Sequence, residues 1–438
     1  MPLFYPIFTP PYTSLSFMNI GIFTYGTRGD VQPYIPLALG LMKKGHKVLL
    51  AAPENFKGLV EDYGITFHPL HGDAEQGMNS AEGQKVVQTG NTIALMKFFY
   101  EALYSIRHPL RESYIEGITC VDVVIANLAT LPISSTIAEK QGKNIALTYF
   151  MPPVVPTAEF PAAGLDFFNF KVYNRLTYKL AHYFYWKFVK KETNEFRREL
   201  GLPALTENII AHLDRRKLLD LYCFSPVLIP QPKDWEGNHK VTGFMALPQG
   251  KQFYRPDNAV PEPLKEWLSN GSKPIYMGFG SNGVPDSLKI GAVLREILSK
   301  TGERILFCTG WALYKDLPGH PRLFITKYTN HDLVLPQCKL GIFHGGAGTL
   351  ASILRNGLPV IIVSLYTDQP YWGKIIEKRH LGIHIPAKKL NPGRLIAAIE
   401  AVQKDIITQQ VALISRELQN ENGVETAVAE IEKYFSAV

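Results

Sequence analysis

Two short stretches in the last quarter of the chain carry side chains and glycines spaced for chemistry. They are HGGAGT, from His344 to Thr349, and TDQPYWG, from Thr367 to Gly373. The first follows LGIF, an apolar run suited to a buried parallel strand. It leads into TLASILRNGL, whose spacing predicts a helix stopped by Gly357 and Pro359. A glycine turn at the head of a helix lets backbone N–H groups close on an anion, and the helix dipole adds partial positive charge there. His344 and Thr349 add side-chain donors to the turn made by Gly346, Ala347 and Gly348, so the segment reads as a diphosphate cradle. One strand later, Thr367, Asp368 and Gln369 supply partners for sugar hydroxyls at the same sheet edge. A diphosphate beside a polyol is the outline of a nucleotide sugar.

A carboxylate stands at the other end of the chain. Asp30 lies in GTRGDVQP, directly after the strand-like NIGIFTY, where open α/β sheets bind their ligands. Sugar transfer to a hydroxyl needs a base for the hydroxyl proton. An ordinary aspartate, with a pKa near ~3.9, is too weak unless burial raises it or it acts in concert with bond breaking. The competing reading is that Asp30 caps the next helix. Arg28 is a ready partner for its charge, and what orients Asp30 stays open. Ser281, after PIYMGFG, offers a hydroxyl to a phosphate or caps a turn. The same stretch, GFGSNG, formally fits a dinucleotide fingerprint, but Pro285 comes soon after and no acidic residue ends the next strand, so an NAD-dependent oxidoreductase is the poorer alternative. Trp311, in CTGW, is an indole that stacks on a base or fills a core. Tyr328 to His331 form the next strand-end loop.

HGGAGT and DQPYWG, in this order and at this separation, resemble the donor-site signature of the UDP-dependent glycosyltransferases of sterols, lipids and macrolides (glycosyltransferase family 1). The resemblance runs from about Met18 to the end. It implies an α/β protein of the GT-B architecture: two Rossmann-like, doubly wound domains facing across a cleft. It also implies direct, inverting transfer of a hexose, with UDP-glucose as the expected donor, to a lipophilic alcohol. A catalytically silent sugar-nucleotide or lipid binding protein is the other alternative. By resemblance Asp30 is the base. Ser281, Trp311, His344, Gly346, Ala347, Gly348, Thr349, Asp368 and Gln369 are the donor contacts. Phe150, Pro152, Phe160 and Trp372 are the expected acceptor contacts. The family often has a second histidine where this chain has Phe343, and relatives that use a His base place an Asp near Asn127 to orient it.

These residues need two doubly wound units to hold them. The expected division is a mobile leader at 1–17, an acceptor domain at 18–244, and a linker at 245–263. A donor domain occupies 264–420, and a helix at 421–438 crosses back to the first domain. The leader is broken by proline and lacks the pattern of a signal peptide, which makes Met18 the expected natural start. Strands alternate with helices through NIGIFTY, KVLLAA, GITFHPL, VDVVIANL and NIALTYF, with a helical stretch expected near Thr92 to Ile115. Residues 150–200 differ: a proline-rich loop precedes a long helix dense in aromatics. Lys171, Arg175 and Lys179 recur every fourth residue there and share one face. That face is either solvated or lies on an anionic membrane.

The 438 residues, 19% charged and 46% hydrophobic, fit a folded protein of two large domains. The net charge of +7 suits an anionic donor or membrane surface, and no nucleic-acid motif accompanies it. Four dispersed cysteines without a CxxC, and no apolar run of membrane-spanning length, indicate a cytoplasmic protein, peripheral at the membrane at most. No D-x-D, P-loop or H-E-x-x-H motif occurs, so neither metal nor other cofactor is expected. Charge on departing UDP then falls to the helix N-terminus, His344 and the Ser281 turn. A monomer or homodimer is expected.

Overall fold

The computed structural model describes residues 17–89, 91–246, 260–280, 287–312, 314, 316–365 and 368–436. Ser281, Thr367 and most of the expected leader and linker lie outside the described residues. The first sheet holds β1 (Asn19–Phe23), β2 (Lys47–Pro53), β3 (Thr66–Leu70), β4 (Val123–Asn127), β5 (Asn144–Tyr149), β6 (Asp220–Tyr222) and β7 (His239–Val241). Its order is β3-β2-β1-β4-β5-β6-β7, and every pair is parallel. The second holds β8 (Ile275–Gly278), β9 (Ile305–Cys308), β10 (Leu323–Thr326), β11 (Leu340–Phe343), β12 (Val360–Ser364) and β13 (Gly382–Pro386). Its order is β10-β9-β8-β11-β12-β13, again all parallel.

The apolar runs become central strands because helices cover both faces of each sheet. All of β11 and β12 is buried, whereas the edge strand β3 keeps exposed positions and tolerates Pro69. In each sheet the winding reverses beside the first strand, between β1 and β4 and between β8 and β11. Such switch points leave a crevice at the carboxyl ends of the strands. The candidate residues cluster at these two crevices.

Seven helices position the site or tie the two halves around it: α1 (Arg28–Val31), α2 (Tyr34–Lys43), α3 (Thr92–Ser105), α4 (Lys171–Glu199), α5 (Ala347–Arg355), α6 (Gln369–Lys378) and α7 (Gly423–Ser436). The stretch expected as one helix from Thr92 is two, because a second helix, Arg107–Thr119, starts after α3 ends. Pro109 explains the break: it has no N–H for a carbonyl four residues back, and so belongs in a first turn. The last helix, α7, packs against α2, with Ala427, Val428 and Ile431 buried in the cluster that holds Leu37, Ala38 and Leu41. Covering Val428 and Ile431 contributes about 1.5–3 kcal/mol each. Lys374 pairs with Asp166 at 2.6 Å, and Arg379 donates to the Leu228 carbonyl at 3.0 Å, so α6 is tied to the first half.

Candidate active site

One cavity of about 1760 Å³ runs between the two sheets and takes its lining from both. Arg28, after β1, lies 5.6 Å from the ring centroid of Tyr328, after β10, so the walls touch at this point. The cleft brings together Asp30, Trp311, His344, Gly346, Ala347, Gly348, Thr349, Asp368 and Gln369, with Phe150 and Pro152.

Asp30 sits in the third position of the one-turn α1 and closes a capping box with Thr27. Its Oδ2 accepts from the Thr27 N–H at 2.7 Å and the Thr27 hydroxyl at 3.2 Å. Capping and cleft-facing roles therefore coexist in one side chain: neither bond uses Oδ1. The turn depends on Gly26, whose φ is +145° and where a Cβ would lie 2.3 Å from Asp30 Oδ2. Beneath, the Thr24 hydroxyl donates to the Asp30 carbonyl at 2.8 Å, and Asn127 Nδ2 donates to Thr24 Oγ1 at 3.0 Å. Asn127 at the end of β4 thus steadies the Asp30 backbone through Thr24. Asp30 keeps open surface on the cleft, yet both halves crowd around it and replace bulk water. That desolvation raises its pKa to about 6. The two Thr27 bonds hold it down in part, and the charge of Asp368 pushes it up. Asp368 belongs to the opposite wall, so the electrostatics already couple the two halves.

The glycine turn stands at the head of α5. His344 follows β11, Gly346 caps α5 in an extended conformation, and no acidic side chain occupies the first turn of α5. The first-turn N–H groups have no partners within the helix and head the cleft. A Cβ at Gly346 would lie 2.7 Å from His344 Nε2, so only glycine leaves that ring in place. Burial lowers the His344 pKa to about 4, offset in part by the nearby Gly278 carbonyl, so the ring is neutral at pH 7. Its Nδ1 is buried with no full hydrogen bond. A neutral imidazole beside a helix N-terminus can donate one proton to a phosphate oxygen without being repelled by the helix.

Beyond the cradle, the ends of β9 and β10 form the wall on which a nucleobase would lie. Trp311 is 7% exposed and lines the cleft, while its buried side packs into the core of the first half. The two readings of this indole are therefore not exclusive. Thr329 Oγ1 is buried there without a partner among the described residues. Tyr276 and His331 share a 2.8 Å hydrogen bond beneath the same wall. Burial, with a smaller push from Arg28, lowers the His331 pKa to about 4.

Asp368 stands directly before α6 and faces the cleft. Gln369 is nearly buried, and its Oε1 accepts from the Leu365 N–H at 2.7 Å. Trp372 corrects an expectation: it is fully buried and outside the cleft lining. It lies one helical turn after Asp368, and its indole N–H donates to Asp368 Oδ2 at 3.0 Å. It packs edge-on against Phe224, 5.9 Å between centroids. Its place is beneath Asp368, off the cleft lining.

Phe150 and Pro152 line the cleft, and Phe150 meets Tyr34 edge-on at 5.0 Å. Phe160 does not line it; it packs against a hydrophobic cluster shared by both halves, and its loop is hydrogen-bonded to α4 through Ala158–Asn174 and Ala162–Thr177. The apolar lobe is built from two segments read as helical in the sequence, the aromatic-rich α4 and, without any sign there of a lining role, α3. Leu95, Phe99 and Leu103 come from α3, and Tyr185, Phe188 and Val189 from α4. Tyr100 of α3 meets Phe188 of α4 at 4.8 Å. The signal was present as the apolar run IALMKFFYEALY, but a face that lines a cavity has the same periodicity as one that packs.

Comparison with known proteins accords with this geometry. Residues 20–159 match the Glycosyltransferase family 28 N-terminal domain, and residues 313–438 match the Erythromycin biosynthesis protein CIII-like C-terminal domain. Sterol 3-beta-glucosyltransferase UGT80B1 of Arabidopsis thaliana is 31% identical over 431 residues, which cover 96% of this chain and 68% of that protein. The chain belongs to the family of the sterol 3-beta-glucosyltransferases. It spans about two thirds of the plant members it matches and about 29% of that from Yarrowia lipolytica. Among solved structures, the glycosyltransferase of kitacinnamycin has a TM-score of 0.67 at 16% identity, covering 95% of this chain and 99% of that one. The Streptomyces glycosyltransferase SsfS6, complexed with thymidine diphosphate, has a TM-score of 0.60 at 17% identity, with 95% and 99% covered. The shared fold is GT-B. The dinucleotide-oxidoreductase reading of GFGSNG gains no support from these relatives.

Proposed function

We propose that this family member transfers a hexose, with glucose from UDP-glucose as the first candidate, to a hydroxyl of a lipophilic alcohol such as a sterol, triterpenoid, carotenoid or macrolide. One observation carries the reading: the Asp30 carboxyl faces, across a single cleft, the N-terminus of α5 with His344 beside it. The diphosphate rests on the first turn of α5 beside His344, with the base along Trp311 and Thr329. Asp368, held by Trp372, and Gln369 take the sugar hydroxyls. The acceptor lies in the lobe between α3 and α4 with its hydroxyl at Asp30. Asp30 takes the proton as that oxygen attacks the anomeric carbon, and the bond to the β-phosphate oxygen breaks with inversion. The N–H groups of α5 and His344 meet the charge left on UDP, and no metal or other cofactor is invoked. Among the described residues no helix is long and apolar enough to cross a membrane.

The test is incubation of the full chain with UDP-glucose and a panel of lipophilic alcohols, with products read by mass spectrometry. A hexose adduct is expected, and it should vanish in Asp30→Asn while UDP affinity persists. Titration by NADH in place of UDP, or equal product from Asp30→Asn, would overturn the assignment.

A further inference from the structure

Among the described residues nothing covers the outer face of α4. Among the described residues fourteen large hydrophobic side chains are exposed, and eight of them fall between residues 167 and 184. Phe167 and Phe168 precede the helix. Val172, Leu176, Leu180 and Phe184 then recur every fourth residue along it. Exposure is high, 77% for Phe167 and 76% for Val172, so these are not edges of a core. A contiguous apolar stripe of this kind marks an interaction surface.

The charges around the stripe identify the partner. Lys171, Lys179, Lys187 and Lys190 are exposed on the same helix and make no ion pair among the described residues. Arg175 pairs with Asp234 and Lys191 with Glu195, and the nearby Asp166 is neutralised by Lys374. The surface is apolar along the middle, cationic at its flank and far end, and carries no unpaired acid. A helix of this composition lies in the interface of an anionic bilayer, its aromatic and aliphatic side chains among the acyl chains and its lysines at the headgroups.

We infer that α4, with the Phe167–Phe168 loop before it, docks the chain on an anionic lipid surface. The inner face of the same helix supplies Tyr185, Phe188 and Val189 to the apolar lobe of the cleft. Docking by the outer face therefore sets the acceptor lobe beside the bilayer, where a lipophilic alcohol resides. This delivery role rests on the proposed transfer reaction; the docking itself does not.

Flotation of the full chain with phosphatidylcholine vesicles, with and without phosphatidylserine, tests the inference. At low salt the wild type should float with the mixed vesicles and be released at high ionic strength. Lys179→Gln with Lys187→Gln should weaken that binding ~25-fold, about fivefold for each lysine. Leu176→Asp with Phe184→Asp should abolish it. These four side chains are exposed and outside the cleft, so both double variants should keep wild-type turnover of a cyclodextrin-solubilised sterol while losing it on vesicle-embedded sterol. A wild type that stays unbound with both vesicles, or a Leu176→Asp/Phe184→Asp variant that floats like it, overturns the docking. So does light scattering that shows a wild-type dimer split by that variant, since the face would then join two copies. Flotation as expected with no transfer to any alcohol would keep the docking surface and remove the transferase reading instead.

Discussion

Acidification should switch off the proposed base within an accessible range. With its pKa at about 6, Asp30 is ~90% ionised at pH 7 and ~10% ionised at pH 5, so kcat/KM should fall about tenfold between them. The neighbours do not mask this limb, because His344 and His331 are both lowered to about 4 and stay neutral across the range. Unfolding is followed alongside: Asp30, with its folded pKa raised, favours the native state as pH falls from about 6, whereas His344 and His331, lowered to about 4, favour the unfolded state as pH falls below the ordinary histidine value. Thr27→Val sharpens the test. It removes a hydroxyl whose hydrogen bond holds the pKa down, while the Thr27 N–H remains, so the limb should move to higher pH. The assay is initial-rate transfer from UDP-glucose to a solubilised acceptor between pH 5 and 8, with thermal unfolding measured at each pH. A flat profile, or a limb that Thr27→Val leaves in place, would refute the reasoning.

Gly26→Ala should cost about 10²-fold in kcat with little loss of donor affinity, since its methyl displaces the Asp30 carboxyl; kinetics and UDP calorimetry separate the two. His344→Ala should weaken UDP binding ~10–100-fold in calorimetry, the worth of one hydrogen bond to a charged phosphate. Trp372→Phe removes the 3.0 Å hydrogen bond to Asp368 and should raise KM for the UDP-sugar more than it raises Kd for UDP. Phe99→Ala should raise KM for bulky acceptors more than it changes UDP affinity, because Phe99 lines the cleft from α3.

Much of the geometry of the candidate donor side was legible because it is local in sequence: HGGAGT sets its own turn at the head of α5. The position of Asp30 was legible too, since the end of a first parallel strand is a place topology assigns. Its raised pKa was not, because burial in the folded cleft is its main cause and a smaller push comes from Asp368, more than 300 residues away in sequence. Trp372 was misplaced although a clue existed: it stands four residues after Asp368, on the same helical face, where an indole can pin a carboxylate. Phe160 and the wall formed by α3 show the converse. Apolar residues announce burial but not what they are buried against, and only the packed chain separates a core from a cavity that receives a ligand.

The proposed chemistry depends on the diphosphate lying against the first turn of α5 while the sugar points to Asp30. The most direct measurement is a crystal structure of the chain bound to an unreactive 2-fluoro analogue of UDP-glucose. The expected result is the β-phosphate on the backbone N–H groups of Gly348 and Thr349 with His344 beside it, and the anomeric carbon facing Asp30 across one water or acceptor oxygen. Density for the nucleotide on any other part of the cleft, or a sugar turned away from Asp30, would contradict it.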